Sequence, residues 1–295
     1  ANKIFGNKGY KSVCAFMFLL GYGAMIAYLV VIGDVIPTLL GYSSSTARAL
    51  CIFLVSAFTM LPLSLLKDMA SLGFTSSASV LADFILVIII VVAAPVAETV
   101  TNAGGFGHIL STSIIRPSTM FSGIGAMSFA FVCHHSSFIV ASSLKNSTEK
   151  RWGRVTDVSV GSATFMCFVL GLVGYLGFLE ETEGDILNNF DNGVVLSLGR
   201  ILLALTMVFT FPMESFVARH AILSVLYGEE TANELPRKLR IVSTIMLYVS
   251  CLILGISFGD LGVVLELTGA VSASFLAYIM PSGMFIVVHW REFET

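Results

Sequence analysis

Two adjacent histidines, His134 and His135, and a serine pair, Ser136–Ser137, stand inside an otherwise apolar run, Phe121–Leu144. Imidazole titrates near neutral pH, so a histidine pair can shuttle protons. A ring N–H can instead be donated to a nearby carbonyl and fix a bend, and this structural role is the favoured reading. The same run opens with Gly123, Gly125 and Ala126 and continues through the aromatic-flanked segment Ser128, Phe129, Ala130, Phe131. Further along, Thr206, Thr210 and Glu214 are spaced four apart, which stacks them on one helix face, and Pro212 removes a backbone hydrogen bond among them. Hydroxyl and carbonyl oxygens are the donors that a hard cation such as sodium requires. Threonines also commonly bond back to their own helix, which is the structural reading of this face. Asp83 reads as a proton or cation relay, or as a group hydrogen-bonded between helices. Glu266 reads as an outer-gate group or as a structural carboxylate near an interface. The chain contains no HExxH, GxSxG or phosphate-loop pattern, so an enzyme is not expected.

The elements that must position these groups follow from composition. Of the 295 residues, 56% are hydrophobic and only 12% charged, and the mean hydropathy is +0.90. A soluble domain carries about 25% charged residues, so the surroundings are lipid. A net charge of −3 gives no reason to expect a nucleic-acid partner. Cys14, Cys51, Cys133, Cys167 and Cys251 all fall in apolar runs without metal-like spacing and read as buried thiols.

A membrane helix needs roughly 20 apolar residues. Eight stretches qualify: Ser12–Leu40, Ala47–Leu66, Leu72–Ala94, Phe121–Leu144, Val155–Leu179, Val194–Leu226, Leu239–Phe258 and Leu261–Val288. The fold class is therefore all-α, a multi-pass integral membrane protein in one domain, 1–295. The sixth stretch exceeds one membrane thickness and is expected to continue into the cytosol after Arg219. Pro95–Met120 has room for a lid or surface helix. Small residues Gly269, Ala270, Ser272, Ala273 and Ser274 in the last stretch let helices approach closely. A charge at the bilayer centre costs about 2.5–3.5 kcal/mol. Asp34, near the end of the first stretch, reads as an interfacial carboxylate in reach of water. Phe121–Leu144 is long enough to span but has the wrong centre for an uninterrupted helix. Backbone can leave the helix at that depth only where protein or a watery cavity satisfies it, so a broken helix beside a cavity is expected.

Positive residues mark the cytoplasmic side. With the N-terminus inside, 13 of the 16 basic residues fall there, and only Arg48, Arg116 and Arg200 fall outside. The acidic loop Glu180–Asp191 then lies outside, and the sequon Asn146-Ser147-Thr148 lies inside and unused.

MSFAFVCHHSSF (Met127–Phe138) resembles the sixth-helix motif of the sodium-coupled neutral amino acid transporters, solute carrier family 38, within the amino acid/auxin permeases. LPLSLLKDMASLG (Leu61–Gly73), TFPMESFVARHAI (Thr210–Ile222) and LGVVLELTGA (Leu261–Ala270) resemble segments of the same family, most of all its member 11-like branch. The resemblance implies a LeuT-like inverted repeat of five plus five helices with an eleventh appended. Ser12–Leu40 is then the third helix, Phe121–Leu144 the sixth and Val194–Leu226 the eighth, with 1–94 the remainder of the first repeat and 121–288 the second. The family's first two helices and its last have no counterpart in this sequence. A chain opening on Ala1 is expected to be processed or truncated. In that fold, substrate sits between helices one and six and sodium between one and eight, so half of each site is expected to lie outside the sequence.

Carried over by position, Ser128, Phe129, Ala130 and Phe131 are expected to line the substrate cavity, and Thr206 and Thr210 to supply hydroxyls to sodium. The resemblance also moves His134 and His135 toward bend support. It implies secondary active transport of a small neutral amino acid by alternating access, driven by sodium or protons, in the plasma membrane or a vacuolar or lysosomal membrane. No cofactor besides a bound sodium ion is expected. The alternative is a non-transporting truncated product or paralogue that acts as a sensor or assembly partner.

Overall fold

Apolar runs of this length satisfy their backbone groups only within themselves, and every spanning element among the described residues is a helix. The computed structural model describes residues 2–66, 73–113, 117–191, 193–228 and 236–293. Lys67, Arg116 and the expected start of the third stretch at Leu72 lie outside the described residues.

The central element is α1 (Asn2–Leu39), which begins ten residues before the expected Ser12 and kinks at Gly6 (φ 61°). The polar start Asn2–Lys11 extends the apolar helix instead of capping it. Met25, Leu29, Val30 and Ile32 of α1 are fully buried. Around them stand α2 (Ser45–Val55), α10 (Val194–Tyr227), α11 (Arg237–Ser257) and α12 (Leu261–Thr268), which together form the main core.

The second stretch runs from α2 through a wide π turn, Ser56–Met60, into α3 (Leu61–Ser64). Next come α4 (Gly73–Ala93), then α5 (Val96–Asn102) and α6 (Phe106–Ser113), two short helices that fill the expected connector. α7 (Pro117–Ala130) and α8 (His134–Ser143) precede the long α9 (Glu149–Phe178). α12 passes through two further π turns, Gly269–Ala273 and Phe275–Ile279, into α13 (Met280–Phe293).

Seven of the eight expected stretches are helices long and apolar enough to cross a membrane. The exception is Phe121–Leu144, split between α7 and α8. Large apolar side chains such as Phe58, Val92, Phe165 and Phe168 face outward, as lipid-facing positions must.

Residues expected on one side of the membrane do gather at one end of the bundle. Asp34, Glu183, Asp185 and Asp260 line a single polar cavity of about 460 Å³. Asp34 is not simply water-accessible: its Oδ1 accepts from Arg48 Nε at 3.1 Å, and Arg48 also donates to the carbonyls of Ile256 and Phe258. Arg219 stands toward the other end of α10. It is buried, 2% exposed, and donates to the Ser64 carbonyl and the Thr244 hydroxyl, while α10 runs on beyond it to Tyr227.

The small-residue face of the last stretch is a packing surface, since Gly269 abuts the carbonyl of Gly125 on α7. A Cβ at Gly269 would run into that carbonyl and press on the Phe129 Cβ at 3.1 Å. Overpacking of this kind costs about 1–3 kcal/mol. Gly269→Ala should therefore lower the melting temperature in detergent. Gly283→Ala should not, because its nearest neighbour would be the Phe5 ring at 3.9 Å.

Candidate functional site

The interruption of Phe121–Leu144 falls at Phe131–Cys133. Phe131 N–H still reaches the Met127 carbonyl at 3.2 Å, and Val132 tightens to the Phe129 carbonyl at 3.2 Å. Cys133 then leaves helical geometry (φ −122°, ψ 5°). The serine pair helps to restart the helix. The Cys133 carbonyl accepts from Ser136 N–H at 3.3 Å, Ser137 N–H at 3.1 Å and the Ser137 hydroxyl at 2.6 Å. A restarted helix leaves its first amides without helical partners, so the break frees backbone dipoles at this point of the chain. Cys133 itself is exposed, unlike the buried thiols Cys14 and Cys251.

The histidines part company across one helical step of about 100°. His134 is exposed, whereas His135 is buried and turns Nε2 to both carboxylate oxygens of Glu214, at 3.0 and 3.2 Å. His135 thus engages a carboxylate on another helix rather than a carbonyl at the bend. Glu214 is only 5% exposed, and α1 reaches it because residue 21 is glycine. A Cβ at Gly21 would stand 3.2 Å from the Glu214 carbonyl and 3.4 Å from Oε2.

The two threonines also divide. Thr210 donates to the Thr206 carbonyl of its own helix at 2.8 Å. Thr206 instead crosses to α4 and donates to Asp83 Oδ1 at 3.1 Å. Its hydroxyl and the Asp83 carboxylate are oxygen donors suited to a hard cation; the Thr210 hydroxyl also lies within reach of Tyr28 on α1. Glu266 is half-buried on α12, where its backbone carbonyl packs beside Gly125.

A cavity of about 510 Å³ lies alongside, walled by Tyr28 and Val31 of α1, Phe129 of α7, Gly174 of α9, and Leu203 and Met207 of α10. The loop Thr182–Leu187 closes one side of it, and Glu183 and Asp185 of that loop also line the acidic cavity. Of the four residues carried over for the substrate, Phe129 lines this cavity. Ser128 is buried, Ala130 exposed, and Phe131 sits half-buried in the break. Tyr28 and Gly21 escaped the sequence reading. The acidic loop Glu180–Asp191 and Asp34 were expected on one side, and the structure joins Asp34, Glu183 and Asp185 with Asp260 around one cavity.

Asp185 caps the turn Ile186–Asn189 by accepting the Leu187 N–H on Oδ1 at 3.0 Å. Burial pushes its carboxyl above the ordinary range, the Leu187 hydrogen bond opposes this, and the charge of Asp34 adds to it.

Thr206→Val would strip a part-buried carboxylate of its donor, at a cost of about 1–3 kcal/mol. Thr210→Val removes a bond within its own helix and a contact with the buried Tyr28 hydroxyl, neither of them to a charged group. Melting curves in detergent should show Thr206→Val more destabilised than Thr210→Val.

Comparison with known proteins adds the lineage. Residues 1–295 match the family model described as transmembrane amino acid transporter protein. The chain is 33% identical over 297 residues to a Homo sapiens protein provisionally named sodium-coupled neutral amino acid transporter 11, covering 97% of this chain and 70% of that one. A Danio rerio protein of the same provisional name is 33% identical, with 96% of this chain and 63% of that one covered. Vacuolar amino acid transporter 2 of Saccharomyces cerevisiae is 29% identical, with 94% and 61% covered. The chain thus spans between 61% and 70% of the length of these relatives. No solved structure matches. The relatives are named as transporters, not enzymes. With the family model matched along its whole length, the chain belongs to the transmembrane amino acid transporter family.

Proposed function

We propose that this chain forms part of a secondary active transporter that moves small neutral amino acids by alternating access, driven by a sodium or proton gradient. The observation that carries the reading is the break at Phe131–Cys133, two residues past a side chain, Phe129, that lines the cavity. Backbone amides and carbonyls released from helical bonding offer partners to the carboxylate and ammonium of a zwitterion, as discontinuous helices do in transporters. Val31, Leu203 and Met207 suit a small uncharged side chain, and they disfavour a charged one, which would be desolvated without a partner. The break also gives α7 and α8 a hinge while α1 and α10 stay packed. On the sodium reading, Thr206 and Asp83 supply oxygens to the ion. The N-terminal end is assigned to the cytoplasm by its positive charge, in the plasma membrane or a vacuolar or lysosomal membrane.

The test is uptake of radiolabelled alanine by the full-length protein in sealed liposomes under an imposed sodium or proton gradient. Phe129→Trp, which fills the cavity, should cut uptake at least tenfold. Val92→Trp, on an outward face 78% exposed, should leave it near wild type. Absence of uptake under either gradient, or full uptake by Phe129→Trp, would refute the proposal.

A further inference from the structure

We infer that the buried His135–Glu214 pair is the proton-carrying site of the transport cycle, an inference that rests on the transport reading above and names its coupling ion. Both side chains are more than nine-tenths buried, 8% and 7% exposed. A lone carboxylate at that depth would be costly, so the pair must be read as one unit sharing protons. With one proton, the neutral ring donates Nε2–H to the carboxylate and the unit carries one net negative charge. With two, whether as imidazolium and carboxylate or as neutral ring and carboxylic acid, the unit has no net charge. A neutral unit crosses the low-dielectric interior far more cheaply than a charged one. Loading a proton therefore favours reorientation, and emptying the site opposes it.

The ring's other nitrogen supports a site that exchanges. His135 Nδ1 is buried and, among the described residues, has no hydrogen-bond partner. Metal ligation usually fixes the second ring nitrogen of a histidine through a carbonyl or carboxylate, and nothing does so here. Nδ1 is open to a second proton while Nε2 stays on Glu214. His134, the adjacent residue, is exposed and within electrostatic reach of His135, which gives the buried ring a neighbour in contact with the surroundings. The step is proton transfer alone. A proton from water bonds to the pair on the acidic side, the same N–H or O–H bond breaks on the other, and no electrons change hands.

The position of the pair ties the proton to movement. His135 stands two residues past the break, on the second half of the interrupted helix, and Glu214 stands two residues past Pro212 on α10. Any change in the α7–α8 angle alters the distance between Nε2 and the carboxylate. Among the described residues, the other titratable groups facing the pair are few. Tyr28 on α1 lies within electrostatic reach of Glu214 and, beyond it, of Asp83, which Thr206 holds on α4. Arg219 is one turn further on α10 and is occupied by Ser64 and Thr244. The turn Phe275–Ile279 packed on α8 carries no charged residue, and its Tyr278 is exposed.

The test uses the full-length protein in liposomes containing a trapped pH dye, with alanine as the probe, under a proton gradient without sodium and, in a separate arm, under a sodium gradient. An inward proton gradient should concentrate alanine, and alanine influx should acidify the lumen. Glu214→Gln, which keeps an acceptor for Nε2–H, and His135→Gln should each lower the ratio of proton-driven uptake to alanine exchange at least tenfold. Glu214→Asp, which keeps a titratable carboxyl, should recover part of that ratio. Size-exclusion profiles and melting temperatures identify any variant that has lost its fold, and the other two then carry the comparison. Wild-type uptake driven by sodium with no change in lumenal pH would overturn the inference and leave the transport reading standing. A wild-type ratio in both glutamine variants would overturn it too. Failure of uptake under every gradient would instead remove the transport reading on which it rests.

Discussion

The contact on which the rest depends is the approach of α1 to α10 at Gly21 and Glu214. Without a Cβ at residue 21, the α1 backbone comes close enough to enclose the Glu214 carboxylate away from water. An enclosed carboxylate demands a partner, and the partner it finds is His135 on the far side of the helix break. The pair therefore helps to hold the restarted helix α8 against the central bundle. The same pattern of glycine at a close approach recurs where Gly33 meets Ile52 and where Gly255 meets Leu29. Inside lipid, where apolar surface gains little by leaving its surroundings, such close packing supplies much of the cohesion.

Helix ends are secured by a second device. A helix leaves its last carbonyls unpaired, and three arginines collect such groups. Arg48 bonds the carbonyls of Ile256 and Phe258 at the end of α11 while paired with Asp34. Arg200 bonds those of Leu187 and Phe190 in the acidic loop. Arg219 bonds that of Ser64. A planar guanidinium with five donors can serve several acceptors at once, and a single ammonium could not match that geometry. Arg48 and Arg200 thereby organise the end of the bundle that carries the acidic loop, and Arg219 anchors the opposite end. Asp83–Thr206 and His135–Glu214 lie between these clasps, along the face of α10 that meets α4, α1 and α8.

Much of this was legible in the sequence, and the reasons differ by feature. The spans were visible because apolar runs of 20 residues or more have few alternatives. The break was visible because glycines and a His-His-Ser-Ser run cannot be explained as ordinary bilayer-facing helix. Partners were not visible. His135 and Glu214 are 79 residues apart, and Asp83 and Thr206 are 123 apart, so only the packed fold brings them together. Nor could spacing separate His134 from His135 or Thr206 from Thr210. In each couple the neighbouring helix decides which residue turns inward. The extension of α1 through Asn2–Lys11 was hidden for another reason: polar residues end a hydrophobic run without ending the helix.

The central claim is that the break at Phe131–Cys133 borders the substrate path. Cys133 lies in it, exposed and free, and can report on this directly. In the full-length protein with Cys133 as its sole cysteine, the rate of modification by a water-soluble thiol reagent would be measured with and without alanine. If the break borders the path, saturating alanine slows the modification severalfold, and a large cationic amino acid such as arginine does not. An unchanged rate in both cases, with alanine uptake intact, would contradict the account.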